Sequence, residues 1–216
     1  MDGTASPAVP ARRRGRKGNP EARRQAILEA ALDGFLAEGF AATSLDAIAR
    51  RAGVAKGTIY LYFADKEALF RALVRETVSP VIAQAEALAP LFPGPARDLL
   101  RHLARTFVRE VIRSERRRLV RLVLSEAPRF PWLAEVYWEE VVGRAMAMLR
   151  GVSRRAVERG EFAHDLLERF PQLLPAPLLV GFLWTTLFDR FEPLDVEGLV
   201  DQWLDLLLPA LERPLP

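Results

Sequence analysis

The side chains best suited to chemistry lie in one short polar stretch, between residues 43 and 66. Two short helices are predicted there, joined at Gly53, because glycine adopts the positive φ that a tight turn needs. The outer face of the second helix, residues 55–63, is formed by small and polar residues: Lys56, Gly57, Thr58 and Tyr60. A slender polar helix of this kind can enter the major groove of DNA, where its donors meet base edges. The stretch therefore predicts a helix-turn-helix.

Each side chain of this stretch has a predicted role in a DNA interface. Gly57 lets the backbone come close, and Lys56 and Thr58 are placed to reach base edges. The groups suited to phosphate oxygens belong to Thr43, Tyr60, Tyr62 and Lys66, with Ser44 added to the DNA-binding set. Lys66 lies at a predicted helix start, whose free amides attract anions. In the alternative interpretation, Tyr60 and Tyr62 are half-buried aromatics of a helix pair that binds no DNA.

The charge of the chain is concentrated at its N-terminal end. Residues 1–66 carry 11 Lys/Arg against 7 Asp/Glu, a net charge of +4, whereas residues 67–216 carry 20 against 21, a net charge of −1. Residues 1–18 have no apolar anchor and are predicted to form a disordered basic arm. Arg14, Arg16 and Lys17 would follow the narrow minor groove, or else serve as a solvated tail.

The rest of the chain predicts an all-α fold, since Ala, Leu, Arg and Glu dominate its composition. Asn19 and Pro20 mark the start of a first helix and Gly39 its end. Thr43 and Asp46 have the spacing of a capping box, and Asp65 caps a longer fourth helix. Further helices are predicted at 96–113, 116–126, 131–159, 175–191 and 195–211. We expect an arm (1–18), a three-helix DNA-binding domain (19–64) and a helical ligand-binding and dimerisation domain (65–216).

The stretch from Ala42 to Leu69 resembles the signature of the TetR/AcrR family of regulators. It reads Ala42-Thr43-Ser44-Leu45-Asp46-Ala47-Ile48-Ala49-Arg50-Arg51-Ala52-Gly53-Val54-Ala55-Lys56-Gly57-Thr58-Ile59-Tyr60-Leu61-Tyr62-Phe63-Ala64-Asp65-Lys66-Glu67-Ala68-Leu69. The resemblance covers about residues 20–75, although the family usually has Ser where Ala55 stands and His where Tyr62 stands. It implies a homodimer of nine- or ten-helix subunits that leaves a palindromic operator when a small ligand binds the C-terminal domain.

The C-terminal segments predict a dimer interface. Segment 175–191 is apolar almost all round, so it must be covered on both sides. With segment 195–211 it would form a four-helix interface between two subunits, with Leu179, Phe182, Leu183, Trp203 and Leu207 in contact. Burial within a single subunit is the alternative.

A ligand pocket is expected among segments 96–113, 131–159 and 175–191. The candidate lining residues are His102, Leu103, Phe107, Tyr137, Trp138, Met146, Phe182 and Trp184. Their apolar and aromatic character favours a hydrophobic or amphipathic small-molecule effector. Ordinary core packing is the alternative for each of them.

Several classes of function are disfavoured by composition. The chain has no cysteine and two isolated histidines, so we expect no catalytic residues, no metal site and no cofactor. The longest apolar run, around residues 178–183, is much shorter than the roughly 20 residues of a membrane span, and we expect a cytoplasmic protein without a membrane partner. A protein-interaction module and a transcriptional activator with the same fold remain as alternatives to a repressor.

Overall fold

The computed structural model describes residues 19–213, and every regular element within that range is helical. The α-helices are α1 (Pro20–Glu38), α2 (Leu45–Arg51), α3 (Lys56–Ile59), α4 (Lys66–Thr77), α5 (Ser79–Leu88), α6 (Ala96–Phe107), α7 (Arg117–Glu126), α8 (Pro131–Tyr137), α9 (Gly143–Glu158), α10 (Leu166–Arg169), α11 (Ala176–Leu187) and α12 (Val196–Glu212). The predicted all-α fold is confirmed. The basic arm, with Arg14, Arg16 and Lys17, lies outside the described residues.

Two π-helical turns extend these helices. Val108–Ile112 continues α6, and Trp138–Val142 joins α8 to α9 without a break. The predicted helices 96–113 and 131–159 therefore each correspond to one continuous helical segment. Because α8 and α9 are continuous, the described residues form eleven α-helical segments, of which α3 and α10 are single turns.

The predicted ends of α1 are confirmed, whereas the predicted cap of α2 was wrong. Asn19 Oδ1 accepts a hydrogen bond from the Glu21 amide at 3.0 Å, and Gly39 ends α1 with φ of 83°. The cap of α2 is Ser44, whose Oγ accepts from the Ala47 amide at 3.1 Å. Thr43 is only 1% exposed and its hydroxyl donates to the Gly39 carbonyl at 2.8 Å. Thr43 is therefore a core residue that closes the turn between α1 and α2.

The predicted long fourth helix is two helices. α4 ends at Thr77 and α5 begins at Ser79, because Pro80 at the second position of α5 has no amide hydrogen to continue the α4 ladder. Beyond this break, α5 packs with the C-terminal part of the protein. α5 forms one wall of the cavity described below.

An aromatic cluster joins the first three helices to the rest of the protein. The Phe40 ring lies 5.4 Å from Phe130 and 5.2 Å from Trp132, and Trp132 in turn lies 5.6 Å from Phe70 of α4. These residues belong to or pack against one buried core that includes parts of α1 to α5, α7 and α8. A second core contains α6, α9, α11 and α12. α4 and α8 are therefore packed in the same core as α1, α2 and α3.

Ion pairs line the contact between α6 and α12. Four arginines spaced along α6 and its extension each contact an acidic side chain of α12: Arg97–Glu212 at 3.0 Å, Arg101–Asp205 at 2.6 Å, Arg105–Asp201 at 2.8 Å and Arg113–Glu197 at 3.1 Å. The hydrogen bond from Arg105 lowers the pKa of Asp201 below its ordinary value. This ladder fixes the register of α12 against α6 at the surface of the second core.

Candidate DNA-binding and ligand-binding sites

The outer face of α3 is open, as the sequence predicted. Lys56, Gly57 and Tyr60 are exposed and Thr58 is half-buried, while Ile59 and Phe63 point into the core. The helix is shorter than predicted, because it ends at Ile59 and continues as a turn to Tyr62. The small polar surface that a DNA groove requires is therefore present, on a helix fixed from below by two apolar anchors.

Two glycines of this region, Gly53 and Gly57, differ in whether the fold of the subunit requires glycine at that position. Gly53 has φ of +67°, a conformation that residues with a Cβ rarely adopt, so it is needed for the turn itself. Gly57 has no such φ, and a Cβ added there would meet nothing within 4 Å. Nothing in the described part of the chain requires glycine at position 57. Because Gly57 has no side chain, another molecule can approach the backbone of α3 closely at this position.

Lys56 is held in place by a residue of α2. Its Nζ donates to Asp46 Oδ2 at 2.6 Å, and this hydrogen bond raises the pKa of Lys56 above its ordinary value. The ammonium is therefore charged and oriented across the turn between the two helices. A base edge or phosphate that binds Lys56 must share it with Asp46 or displace Asp46.

Lys66 makes hydrogen bonds within the protein that the sequence did not predict. Its Nζ donates to the carbonyls of Phe40 at 2.8 Å and Ala41 at 3.3 Å, and it lies 4.6 Å from the centre of the Phe40 ring. Burial lowers the pKa of Lys66. The residue fastens the loop between α1 and α2 to the start of α4, with one N–H bond left for the predicted phosphate contact.

The remaining predicted DNA contacts differ in accessibility. Ser44 is exposed and Tyr62 is half-buried, with its ring 6.4 Å from that of Phe63. The prediction for Thr43 was wrong, because its hydroxyl is buried and already donates to Gly39. Leu61, which sequence reasoning did not select, is 83% exposed beside α3. The sequence feature that could have indicated this exposed position is an apolar residue between Tyr60 and Tyr62 in an otherwise polar stretch.

A cavity of about 550 Å³ lies in the C-terminal part of the protein. Seven of the eight predicted residues line it: His102, Leu103, Phe107, Tyr137, Trp138, Met146 and Phe182. Trp184 does not, because its indole N–H points away and donates to the Glu192 carbonyl at 2.8 Å. One wall of the cavity, formed by α5 residues 81–88, was not predicted, because one long fourth helix was expected in place of α4 and α5.

The lining of this cavity is almost entirely apolar. Its polar side chains, apart from the Trp138 indole, are Gln84, His102, Thr106, Tyr137 and Gln172, and no Asp, Glu, Lys or Arg is among the lining residues. Burial raises the pKa of Tyr137 well above its ordinary value. Tyr137 is half-buried: no hydrogen bond joins its hydroxyl to another group within residues 19–213, and its oxygen is not among the fully buried atoms that lack a partner. The cavity thus combines apolar walls with a few polar side chains, among them the hydroxyl of Tyr137.

The outer side of α11 is an exposed apolar face. Its members are Leu179, Val180, Leu183, Leu187 and Phe188, each at least 43% exposed, and Leu206 of α12 is exposed as well. Leu179 and Leu183 are thus placed as the sequence predicted for a dimer contact. Phe182 and Leu207 are not, because they are 4% and 8% exposed and pack inside their own subunit.

Trp203 was also predicted for the dimer contact and is turned mostly inward. Its indole N–H donates to the Leu173 carbonyl at 2.9 Å, and its ring packs against the second core. The physical reason is that α12 runs along α6 and α11, so one side of α12 is used within the subunit.

The π-helical turn Trp138–Val142 contacts both the cavity and α4. Trp138, Val141 and Val142 line the cavity. Between them, Glu139 Oε2 accepts from Arg71 at 2.8 Å and Glu140 Oε1 accepts from Arg75 at 2.7 Å. α4 begins with Lys66, which contacts the loop between α1 and α2, so a single helix connects this turn of the cavity wall to that loop.

Two further structural findings concern the described residues. None of the helices between residues 19 and 213 is both long and apolar enough to cross a membrane. Over the same range no three His, Asp or Glu side chains come together in a way that could hold a metal ion.

Comparison with known proteins identifies both parts of the chain. The family model of bacterial regulatory proteins of the tetR family matches residues 27–73, and that of the tetracyclin repressor-like C-terminal domain matches residues 93–203. The HTH-type transcriptional regulator AcrR of Shigella flexneri is 36% identical over 107 residues, or 49% of this chain and 50% of that protein. RutR of Escherichia coli K12 is 45% identical over 74 residues, or 32% of this chain and 35% of that protein. The chain thus spans half or less of the length of these relatives.

Solved structures extend the likeness over the whole fold. A TetR-family transcriptional regulator from Mesorhizobium loti has a TM-score of 0.68 at 25% identity, covering 90% of this chain and 98% of that one. The flavonoid-responsive regulator FrrA has a TM-score of 0.61 at 29% identity, covering 88% of this chain and 97% of that one. The similarity therefore includes the cavity-bearing part as well as the helix-turn-helix.

Proposed function

Because the chain belongs to the TetR family of bacterial regulatory proteins, we propose that it is a repressor that leaves a palindromic operator when a small hydrophobic ligand binds its C-terminal cavity. The family membership makes it a transcriptional regulator with a DNA-binding helix-turn-helix. The repression, the palindrome and the ligand are the proposal. The observation that carries it is the open face of α3 around Gly57.

The DNA contact is argued from the shape and charge of that face. Gly57 is a glycine that the fold of the subunit does not require, since a methyl group would fit there. A surface without a side chain lets the backbone approach a groove, and Lys56 and Thr58 beside it supply donors for base edges. Tyr60, which is exposed next to them, can donate to a phosphate oxygen.

The palindrome follows from a homodimer formed through the apolar face of α11. Leu179, Leu183 and Leu187 occupy one side of the helix at a spacing of four residues, and all three are exposed in the single subunit. Exposed apolar patches of this kind mark contact surfaces. Two subunits related by a two-fold axis would present their α3 helices to successive major grooves, about 34–36 Å apart.

Ligand release is argued from the turn Trp138–Val142. A ligand can shift an equilibrium only if it binds two states with different affinity. A molecule in the cavity would contact Trp138 and Val142 directly, and the ion pairs of Glu139 and Glu140 would carry a movement of this turn to Arg71 and Arg75 of α4. α4 would then alter the separation of the two α3 helices.

The test is a footprint of the protein on the DNA flanking its own gene. We expect protection of a palindromic stretch whose half-sites lie about one helical turn apart. Lys56→Ala should alter the base preference within each half-site, because a base-edge donor is lost. Binding without sequence preference, or protection of a site without symmetry, would contradict the proposal.

A further inference from the structure

We propose that the ligand of the C-terminal cavity is an uncharged, largely apolar molecule with an aromatic ring, whose one polar group hydrogen-bonds to Tyr137. Its effect on DNA rests on the proposed function, whereas its binding does not. The proposal is carried by three features of the cavity: the absence of charge in its lining, the Tyr137 hydroxyl that faces it, and the aromatic side chains on its walls.

The lining offers no partner to a charged group. None of the lining residues is Asp, Glu, Lys or Arg. Arg144, the neighbour in sequence of the lining residue Ala145, contacts Glu86 at 2.5 Å. A carboxylate or phosphate moved from water into this cavity would lose its hydration without gaining a counter-ion, which is strongly unfavourable. The chemistry of the walls therefore selects against anionic ligands.

Tyr137 supplies a half-buried hydroxyl on the cavity lining, as does Thr106, and the phenol reaches further from its helix than the threonine side chain. The Tyr137 hydroxyl lies where burial raises the pKa, so the phenol stays protonated and keeps an O–H donor. No hydrogen bond joins this hydroxyl to another group within residues 19–213, and its oxygen is not among the fully buried atoms that lack a partner. The hydroxyl is therefore accessible from the cavity, where a ligand carbonyl, ether or hydroxyl could accept its hydrogen. Gln84, His102 and Gln172, by contrast, are exposed at the rim.

The size and walls of the cavity favour a ring system. A volume of about 550 Å³ lies within the range of drug-sized ligand sites. Phe107, Trp138 and Phe182 lie on three different elements that surround the space. Aromatic side chains arranged in this way prefer offset or edge contacts with another ring. A planar aromatic molecule with one polar substituent fits this description.

The first experiment compares two fluorescent probes that share a ring system and differ in charge. N-phenyl-1-naphthylamine is neutral, and 8-anilino-1-naphthalenesulfonate carries a sulfonate. We expect one neutral probe to bind per subunit, at least about tenfold more tightly than the anionic probe. Equal or tighter binding of the anionic probe would overturn the proposal.

Two variants locate the probe. Ala145→Phe fills the cavity from α9 and should abolish binding of the neutral probe, whereas Trp184→Phe, which lies outside the lining, should leave it unchanged. Thermal unfolding of both variants verifies that they fold. Full retention of binding by folded Ala145→Phe would overturn the assignment to this cavity.

The role of Tyr137 is tested with 6-propionyl-2-(dimethylamino)naphthalene, whose emission shifts to the red when its carbonyl accepts a hydrogen bond. We expect the bound probe to be blue-shifted in Tyr137→Phe and its affinity to fall by about three- to tenfold. An unchanged spectrum and affinity would refute the contact. Operator binding is measured in parallel: its absence with intact probe binding would refute the repressor proposal alone, and tight binding of the anionic probe with intact operator binding would refute the ligand class alone.

Discussion

Replacing Gly57 by alanine should separate the stability of the protein from its affinity for DNA. A Cβ at this position meets nothing within 4 Å, and the backbone of Gly57 is not in the left-handed region. The substitution therefore introduces no clash or strain within the subunit. Alanine in a helix is favoured over glycine by roughly 0.5–1 kcal/mol, so the variant should be slightly more stable in urea or thermal unfolding.

The same methyl group should weaken operator binding. If α3 lies against the edges of the bases, an added methyl forces the helix away from a closely packed contact, at a cost of about 1–3 kcal/mol. That corresponds to a decrease in affinity of about 5- to 150-fold. The measurement is fluorescence anisotropy with a labelled operator duplex at one fixed salt concentration, because affinity for DNA depends steeply on salt.

A second glycine serves as the control. Gly151 lies in the middle of α9, far along the chain from α3, and a Cβ there would make only an ordinary contact at 3.6 Å with Arg155. Gly151→Ala should gain similar stability and leave operator affinity unchanged. If Gly57→Ala were more stable and bound the operator as tightly as the unmodified protein, the close approach of α3 to DNA would be refuted.

Three further substitutions test other parts of the molecule. Leu183→Glu places a charge on the exposed face of α11 and should weaken dimerisation at least about tenfold in sedimentation experiments. The control is Leu91→Glu, at an exposed position in the loop before α6, which should leave dimerisation unchanged. A dimer unaffected by Leu183→Glu would contradict the α11 interface. Glu140→Ala removes the ion pair to Arg75 and should reduce the effect of ligand on operator affinity by about 2- to 30-fold, with ligand binding itself retained; an undiminished response would exclude this connection. Asp201→Asn should lower the melting temperature slightly at pH 7, since exposed ion pairs contribute little. The depressed pKa of Asp201 means that its contribution is present above about pH 4 and is lost as the pH falls through the folded-state value. The difference between the two proteins should therefore disappear in acid, and a difference that grows below pH 4 would contradict the ion pair.

The local features of the DNA-binding part could be predicted from sequence because their causes are local. Asn19, Pro20 and Gly39 mark the ends of α1 through their own hydrogen bonds and dihedral angles, and Gly53 marks its turn through a positive φ. The spacing of apolar residues likewise located most of the C-terminal helices. Seven of the eight predicted pocket residues line the cavity, because large and mostly apolar side chains on three helical segments tend to meet.

Errors arose where two choices were locally equivalent. Thr43 and Ser44 can both cap a helix. Ser44 is the cap because Thr43 is buried against α1, so close to Gly34 that a Cβ added there would lie 2.9 Å from the Thr43 methyl group. Lys66 reads as a free cation until Phe40 and Ala41, some 25 residues earlier, are placed beside it. Such hydrogen bonds depend on the path of the chain in space.

The sequence by itself determined the helical class, the helix-turn-helix and its polar face, because capping, turn chemistry and hydrophobic spacing act over a few residues. Only the tertiary structure decided the direction of side chains on α11. A helix that is apolar all round has no polar side to orient it, so its packing against α12 and the turn Val108–Ile112 placed Phe182 in the interior and Leu183 on the surface. The same packing turned Trp184 away from the cavity and left the Tyr137 hydroxyl beside it.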